Sequence, residues 1–452
     1  MNAKKYSIGL ITLVASLGGF LFGFDMAVVS GVLPLVKAQY GLSAASEGWF
    51  VSSALVGCIA GVALSGELSD RSGRRFPMLL SAVLFVGSAL GCALLPGLSA
   101  VIVSRILGGI GIGIASNVVP LYISEIAPAA KRGRLVTYYQ LALTMGILCA
   151  YLSNAALVAL APGMHGRLFH DELWRGMFLI GAFPAVIFFI GLFRLPESPR
   201  WLLARGRRVE ALAILSQTGE TVQDLPGTTR PASYQDLLSP KLRGALIIGL
   251  LLPLFSQFSG INAIIYYGPR ILSNAGVSLS NSLLSQVIFG MANMLFTLVA
   301  IWKVDSWGRR PLYLYGTAGA TVTLALTGLC FYTGATGSIW LLLCVLAFLA
   351  CFAFSIGPLK FVIASEIFPG TIRGRAMALS VMVMWIADTV VGQLTPLLLS
   401  WIGSSGTFWF FGSFCLVAFF TVYRLLPETK GRSLEHIENN LEAKNESPLI
   451  MH

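Results

Sequence analysis

Long apolar runs, each about as long as a bilayer is thick, recur along the chain and alternate with short polar segments. A hydrocarbon core of ~30 Å takes about 20 helical residues to cross. Barrel strands would alternate apolar and polar residues, whereas runs such as 331–353 are apolar on every face, so helices are favoured. The pattern predicts an all-α membrane protein with twelve spans, numbered here 1 to 12: 6–31, 46–66, 77–96, 98–122, 135–158, 174–195, 243–272, 281–303, 311–332, 337–365, 376–402 and 407–426.

Composition and charge support a fold solvated by lipid. Apolar residues fill 56% of the 452 positions, charged residues only 11%, and the mean hydropathy is +0.78. The net charge of +11 does not indicate a nucleic-acid partner, because Lys and Arg concentrate in alternate polar segments, as the positive-inside rule describes. We therefore expect a multi-pass protein of the cell (inner) membrane with both termini in the cytoplasm.

Cysteine and histidine spacing predicts neither a disulfide framework nor a metal site. The sequence also lacks a P-loop and a catalytic constellation within the spans. We expect no cofactor, no metal and no enzymatic activity.

The polar stretch 196–242 divides the spans six and six. We predict an N-terminal six-helix bundle over 1–195, a cytoplasmic connector with short helices over 196–242, a C-terminal six-helix bundle over 243–428 and a cytoplasmic tail over 429–452. Motifs of the first half recur in the second at a nearly constant separation, which predicts two similar bundles with a cleft between them. The repeats are Gly73-Arg74-Arg75 with Gly308-Arg309-Arg310, Ser124-Glu125 with Ser365-Glu366, and Pro196-Glu197 with Pro427-Glu428.

The repeated charges lie at the cytoplasmic ends of the predicted helices. Paired Arg and Glu there can join neighbouring helices, latching one conformation and opening in another. Positive-inside topology explains the arginines equally well, but it does not require acids at matching positions. The candidate latch residues are Asp70, Arg74, Glu125, Arg134, Glu197, Asp305, Arg309, Glu366, Arg375 and Glu428.

An ordered set of motifs resembles the sugar porters of the major facilitator superfamily, and most of all the bacterial xylose and hexose proton symporters. The set includes Gly19-Phe-Leu-Phe-Gly23-Phe-Asp25 in span 1, Arg105 in span 4, Gln257-Phe-Ser-Gly260-Ile-Asn262 in span 7 and Pro427-Glu-Thr-Lys-Gly431 after span 12. The likeness covers nearly the whole chain. It implies the major facilitator fold and uptake of a monosaccharide, a pentose or a hexose, by proton symport through alternating access.

A uniporter of the same fold, carrying a sugar or polyol by facilitated diffusion, is the alternative function. An exporter, a membrane enzyme and a sugar sensor have less support in the sequence. The expected partners are the sugar, protons and the lipid bilayer, and we expect the protein to act as a monomer.

Asp25 in span 1 and Arg105 in span 4 are the candidate proton-coupling residues. A buried charge needs a partner or a proton. A rise of ~1.5 Å per residue gives the two similar depths, within reach of an arginine side chain. A permanent ion pair explains them as well as coupling does, and the resemblance favours coupling.

The resemblance also implies a sugar site rich in amides, since each buried hydroxyl needs a hydrogen bond. Helix–helix hydrogen bonding is the alternative role for these side chains. The candidate substrate-binding residues are Gln140, Gln257, Asn262, Asn293, Trp385 and Phe361.

Two further pairs are candidates for gating. Tyr266 and Tyr267 form either an outer gate or an aromatic anchor at the membrane interface. Gly357-Pro358 forms either a hinge or a static kink in span 10.

Several positions depart from the family pattern. Ser256 and Met384 stand where an amide is usual, and Phe361 stands where a Trp is usual. Lys360 and Asp388 are unexpected charges; we expect Lys360 to face cytoplasmic water and Asp388 to line the outer cavity, rather than to pair directly. These departures leave the particular sugar open.

Overall fold

A computed structural model describes residues 7–128, 132–161, 171–218, 237–239, 242–274, 276–337, 339–368 and 372–428. Side chains are described for these residues except 132–134, 217, 218, 300–306, 337, 361, 365 and 373. The predicted tail 429–452 and the side chains of Arg134, Asp305 and Phe361 therefore lie outside the described residues.

The described parts of the first half form eight helices. Six are long: α1 (Ile8–Tyr40), α2 (Ala44–Ser72), α3 (Arg75–Leu94), α4 (Leu98–Ile126), α5 (Arg132–Leu160) and α6 (Leu173–Leu192). Two short helices follow, α7 (Pro199–Ala204) and α8 (Arg208–Thr218).

The second half contains α9 (Arg243–Phe258), α10 (Ile261–Asn274), α11 (Leu279–Trp307), α12 (Arg309–Tyr332), α13 (Ile339–Cys351), α14 (Gly357–Ile367), α15 (Arg373–Trp401) and α16 (Gly403–Leu425). A 3-10 turn (Ala335–Gly337) precedes α13, and a π-helical turn (Phe352–Ile356) joins α13 to α14. Among the described residues, twelve helical segments are long and apolar enough to cross a membrane, counting α9 with α10 and α13 with α14 as one segment each. The twelve predicted spans are confirmed.

The chain divides into two compact units. One takes in Met1–Thr229 and Ser280–Gly290, the other Arg230–Leu279 and Met291–His452. In the first unit α1 packs on α5 and α6, while α4 packs on α2 and α3. In the second unit α12 packs on α16, and α9 and α10 pack on α15.

Glycines bring helices of the first unit into backbone contact. A Cβ at Gly23 of α1 would overlap the carbonyl oxygen of Leu143 in α5, and a Cβ at Gly109 of α4 would overlap the carbonyl oxygen of Ala54 in α2. Small residues allow this close approach, which replaces the hydrophobic effect as a source of association in lipid. The glycines of the span 1 motif therefore serve to pack α1 against α5.

Two of the predicted spans are irregular in the second unit. Gly260 has a φ of 85° and separates α9 from α10. In span 10 the π-helical turn comes directly before Gly357-Pro358. Broken helices expose backbone and side-chain polar groups within the membrane, and transporters commonly use such breaks to hold a substrate or ion.

Candidate functional site

Asp25 lies on α1 in the interior of the first unit. It lines a small cavity with room for about one water molecule, together with Phe24, Phe85 and Phe178. No hydrogen bond or ion pair to the Asp25 carboxylate is found among the described residues. The carboxylate therefore faces a largely apolar cavity.

Arg105 of α4 is buried near this acid. Its Nε donates to the carbonyl oxygen of Phe50 at 2.9 Å and one Nη to that of Val51 at 3.4 Å. The guanidinium carbon lies 5.0 Å from the centre of the Phe50 ring and 5.8 Å from that of Phe178. Its other Nη is buried, with no hydrogen-bond partner in the described part of the chain.

The structure thus brings Asp25 and Arg105 to the same region without a direct ion pair. Phe178 contacts the guanidinium and lines the cavity that Asp25 faces. The two charges act on each other electrostatically. A permanent ion pair between Asp25 and Arg105 was the alternative to proton coupling, but this conformation contains no such pair within 4.0 Å.

A polar cluster surrounds the break between α9 and α10 in the second unit. Asn262 Nδ2 donates to Gln257 Oε1 at 2.7 Å and to Asp388 Oδ1 at 2.7 Å. The Tyr266 hydroxyl donates to Asp388 Oδ2 at 3.0 Å. The break places Gln257 in the last turn of α9 and Asn262 in the first turn of α10, so both amides point to one place beside α15.

The two candidate gate tyrosines are buried within the second unit. The Tyr267 hydroxyl donates to the carbonyl oxygen of Gly392 at 2.6 Å, and Tyr266 binds Asp388. Both hydroxyls are thus bound to α15, a position that differs from an aromatic anchor at the membrane surface. Their gating role stays a prediction.

From helix geometry we expected Lys360 to face cytoplasmic water. This prediction is wrong. The Lys360 side chain is only 8% exposed, and Nζ donates to Ser256 Oγ at 3.0 Å. Its charge and that of Asp388 act on each other electrostatically. Lys360 therefore belongs to the polar region around the helix break.

The other predicted sugar contacts are distributed over three helices. Gln140 of α5 is partly buried, Asn293 of α11 is buried and Trp385 of α15 is fully buried. Gly357 and Pro358 begin α14 after the π-helical turn. Their roles as contacts and hinge stay predictions.

Where α2 ends and α3 begins in the first unit, a bidentate ion pair joins Arg74 to Glu125. Nε and Nη2 of Arg74 each lie 2.9 Å from a carboxylate oxygen. Ser198 Oγ also donates to Glu125, at 2.5 Å. Asp70 is largely exposed, 3.7 Å from Arg74.

The second unit contains a similar pair, with Arg309 Nη2 2.9 Å from Glu366. Glu366 is 27% exposed and Glu125 only 7%. Arg375 lies partly buried in the first turn of α15.

The repeated Pro-Glu motif caps a helix in each unit. Glu197 accepts hydrogen bonds from the backbone N–H groups of Arg74 at 2.8 Å and Arg75 at 3.2 Å, at the start of α3. Glu428 accepts in the same way from Arg309 at 3.0 Å and Arg310 at 3.1 Å, at the start of α12. A carboxylate at a helix N-terminus satisfies unpaired donors and the helix dipole.

Glycine in the repeated Gly-Arg-Arg motif makes room for this cap. Gly73 and Gly308 each have a φ of 87°. A Cβ on Gly73 would overlap the carboxylate of Glu197, and a Cβ on Gly308 would lie 2.8 Å from Glu428 Oε2. The sequence repeat therefore encodes one capping geometry in both units.

A further polar cluster at the start of α6 was missed by sequence reasoning. Arg175 donates to Glu172 at 2.5 Å and to the carbonyl oxygen of Leu95 at 2.7 Å, after the end of α3. Gln39 of α1 donates to Glu172 at 2.7 Å and accepts from Trp174. The hydrogen bonds from Arg175 and then Gln39 lower the pKa of Glu172 below its ordinary value of 4.5.

A family model for sugar (and other) transporters matches residues 11–441 of the chain. The chain belongs to this family. Among the relatives of this sugar transporter, the arabinose-proton symporter of Bacillus subtilis (strain 168) is 39% identical over 447 residues, covering 96% of each protein. The D-xylose-proton symporter of Escherichia coli (strain K12) is 37% identical over 479 residues, covering 97% of each.

Solved structures agree with these relatives. The partially occluded inward open conformation of the xylose transporter XylE from E. coli has a TM-score of 0.81 and 36% identity, covering 94% of this chain and 99% of XylE. The MFS proton:xylose symporter XylE bound to 6-bromo-6-deoxy-D-glucose has a TM-score of 0.78 and 34% identity, covering 96% and 99%. The major facilitator fold is confirmed. This family member is a multi-pass membrane protein and a transporter, not an enzyme.

Proposed function

We propose that this transporter takes up a pentose or hexose together with a proton, by alternating access. The observation that carries the proposal is Asp25, a carboxylate that lines a water-sized cavity near Arg105 within the membrane-spanning part of the first unit. Relatives named as arabinose-proton and xylose-proton symporters give further support.

Proton coupling follows from the arrangement of these two residues. An ionised carboxylate inside a membrane is costly, and a nearby guanidinium offsets that cost. Since Arg105 is bound to backbone carbonyls of α2 and not to Asp25 directly, a modest change in their separation alters how strongly it stabilises the carboxylate. A conformational change that weakens this interaction favours uptake of a proton by Asp25.

Sugar binding is assigned to the amide and aromatic residues of the predicted set. Gln257 and Asn262 lie at a helix break and orient each other by a 2.7 Å hydrogen bond. Buried amides can replace the hydrogen bonds that sugar hydroxyls lose on leaving water, and an aromatic face such as that of Trp385 suits the C–H side of a sugar ring. Gln140, Asn293 and Phe361 complete the proposed contacts.

The test is transport by purified protein in proteoliposomes, with a panel of labelled pentoses and hexoses. The wild type should accumulate a sugar when an inward proton gradient is imposed, and an uncoupler should abolish the accumulation. Asp25→Asn should lose accumulation but retain exchange of labelled for unlabelled sugar, because exchange needs no net proton movement. Accumulation by Asp25→Asn against the sugar gradient would refute coupling through this residue.

A matched control removes an acid that lies at the surface. Glu67 is largely exposed and pairs with Arg71 one helical turn away. Glu67→Gln should accumulate sugar like the wild type. The alternative, a uniporter, would equilibrate sugar across the membrane and would not respond to the uncoupler.

The remaining features of the proposal concern placement and assembly. We infer an inner-membrane transporter that acts as a monomer in lipid, with both termini in the cytoplasm, because basic residues concentrate in the segments assigned to that side. The cytoplasmic ion pairs of Arg74 and Arg309 are proposed as latches that stabilise one conformation of each six-helix bundle. Bundles over 1–195 and 243–428 joined by the connector 196–242 remain part of the proposal.

A further inference from the structure

Both carboxylate oxygens of Asp388 accept hydrogen bonds from side chains of α10. Asn262 Nδ2 lies 2.7 Å from Oδ1 and the Tyr266 hydroxyl 3.0 Å from Oδ2. Asp388 is only 1% exposed. An ionised carboxylate has acceptors and no donors, so the Asn262 atom that faces it has to be the amide nitrogen.

The orientation of the Asn262 amide in turn fixes the orientation of the Gln257 amide. Asn262 Nδ2 uses its second hydrogen on Gln257 Oε1, also at 2.7 Å. Both amide hydrogens of Asn262 are then engaged, which leaves its oxygen as the free group. Gln257, having accepted through its oxygen, is left with its amide nitrogen as the free group.

The two remaining groups are open to a ligand. Within the described part of the chain, no hydrogen bond to Gln257 Nε2 or Asn262 Oδ1 is found, and neither atom is among the fully buried unpaired polar atoms. The cluster therefore presents one acceptor, from Asn262, and one pair of donors, from Gln257.

We propose that Asp388 is a positioning residue that fixes which of these two amides donates to the sugar and which accepts. The inference rests on the proposed role of Gln257 and Asn262 as sugar contacts. An asparagine at 388 has both an oxygen and an NH2 group, so it could satisfy Asn262 in either orientation. A carboxylate permits only one.

Lys360 supplies a charge that makes a buried carboxylate tolerable here. Its ammonium donates to Ser256, the residue before Gln257, and its charge and that of Asp388 act on each other. Opposite charges within one unit reduce the cost of burying either. Three of the departures from the family pattern, at 256, 360 and 388, therefore belong to one arrangement.

The proposal predicts how the transporter treats modified sugars. Fluorine can accept a weak hydrogen bond but cannot donate, and a deoxy position can do neither. A hydroxyl that accepts from Gln257 should tolerate fluorine better than removal, by roughly tenfold in KM. A hydroxyl that donates to Asn262 should lose about as much on fluorination as on removal.

The experiment measures KM for deoxy and deoxyfluoro analogues of the transported sugar at each ring position, in proteoliposomes. In the wild type, one position should show the tenfold difference between fluoro and deoxy analogues and another should show none. Asp388→Asn should shrink that difference to about twofold or less, since the amides are free to turn. Glu67→Gln, the control that removes a surface acid, should keep the wild-type pattern.

A second variant tests the same orientation without altering Asp388. Gln257→Glu still accepts from Asn262 but offers an oxygen in place of the donor, so the fluoro analogue should become as poor as the deoxy analogue. An unchanged pattern in Asp388→Asn would overturn the proposal, and so would a Gln257→Glu variant that still distinguishes the analogues. A wild type that transports no sugar would instead refute the proposed function.

Discussion

Gly73 and Glu197 should depend on each other for their contribution to stability. Three variants test this: Gly73→Ala, Glu197→Ala and the double variant. Gly73 has a φ of 87° and a ψ of −178°, a conformation that essentially only glycine adopts. A methyl group there would also overlap the carboxylate that caps α3.

The expected losses follow from these two effects. Removing the Glu197 carboxylate deprives the N–H groups of Arg74 and Arg75 of their acceptor and should cost about 2 kcal/mol, from the cap and the helix dipole together. Gly73→Ala should cost about 2 kcal/mol in backbone strain and about 2 kcal/mol more by displacing the cap. In the double variant the loss of the cap is counted once and the backbone strain is added to it. The double variant should therefore lose about 4 kcal/mol, and not the sum of about 6 kcal/mol from the two single variants.

The assay is equilibrium unfolding by SDS in mixed detergent micelles, followed by tryptophan fluorescence. The double variant should lose about 2 kcal/mol less of the free energy of unfolding than the two single variants lose together. Additive losses would refute the explanation that glycine is required because the carboxylate lies against it. The equivalent pair of the second unit, Gly308 and Glu428, provides the matched test and should show the same sign.

Three further predictions concern buried or partly buried charges. Glu125→Gln should lower stability by about 3 kcal/mol in the same SDS titration, because a bidentate pair is broken, whereas the more exposed Glu366→Gln should lose less; equal losses would contradict the role of burial. The lowered pKa of Glu172 means that its contribution is present above its ordinary value of 4.5 and is lost as the pH falls through the lower folded value, so Glu172→Gln should flatten the acid limb of a pH–melting temperature profile. Lys360→Met should lower the melting temperature by leaving Asp388 without its opposite charge, and adding Asp388→Asn should restore part of the loss; a further decrease would argue against charge compensation.

Hydropathy predicted the twelve spans because lipid forces every spanning segment to satisfy its own backbone. It did not predict where the helices end. We expected span 1 to end at residue 31, but α1 continues to Tyr40, where Gly41 takes a φ of 62°. An apolar run records the thickness of the hydrocarbon, whereas a helix ends where its capping residue allows.

The placement of Lys360 was wrong for a related reason. Its depth was counted from Glu366 along the regular helix α14, but a depth does not say which way the side chain points, and the π-helical turn Phe352–Ile356 precedes this helix. One residue more in a turn rotates all later side chains by about 100° around the axis. No regular periodicity in this apolar span announces such a turn, so the orientation of Lys360 could not be read from the sequence.

The Asp388 cluster could have been found in part. Asn262 and Tyr266 are four residues apart and therefore share one face of α10. That spacing indicates a common partner on a neighbouring helix. The identity of the partner depends on how α10 packs on α15, and one sequence does not contain that packing.

In each half of the polypeptide, the glutamate cap connects the segment after the last long helix to the start of the third long helix of the same half. Glu197, just after α6, holds the start of α3, and Glu428, just after α16, holds the start of α12. A cut in the chain between positions 219 and 236 would separate neither glutamate from the helix that it holds. Each glutamate cap is therefore a contact within one half of the sequence, and neither depends on the segment that joins the two halves.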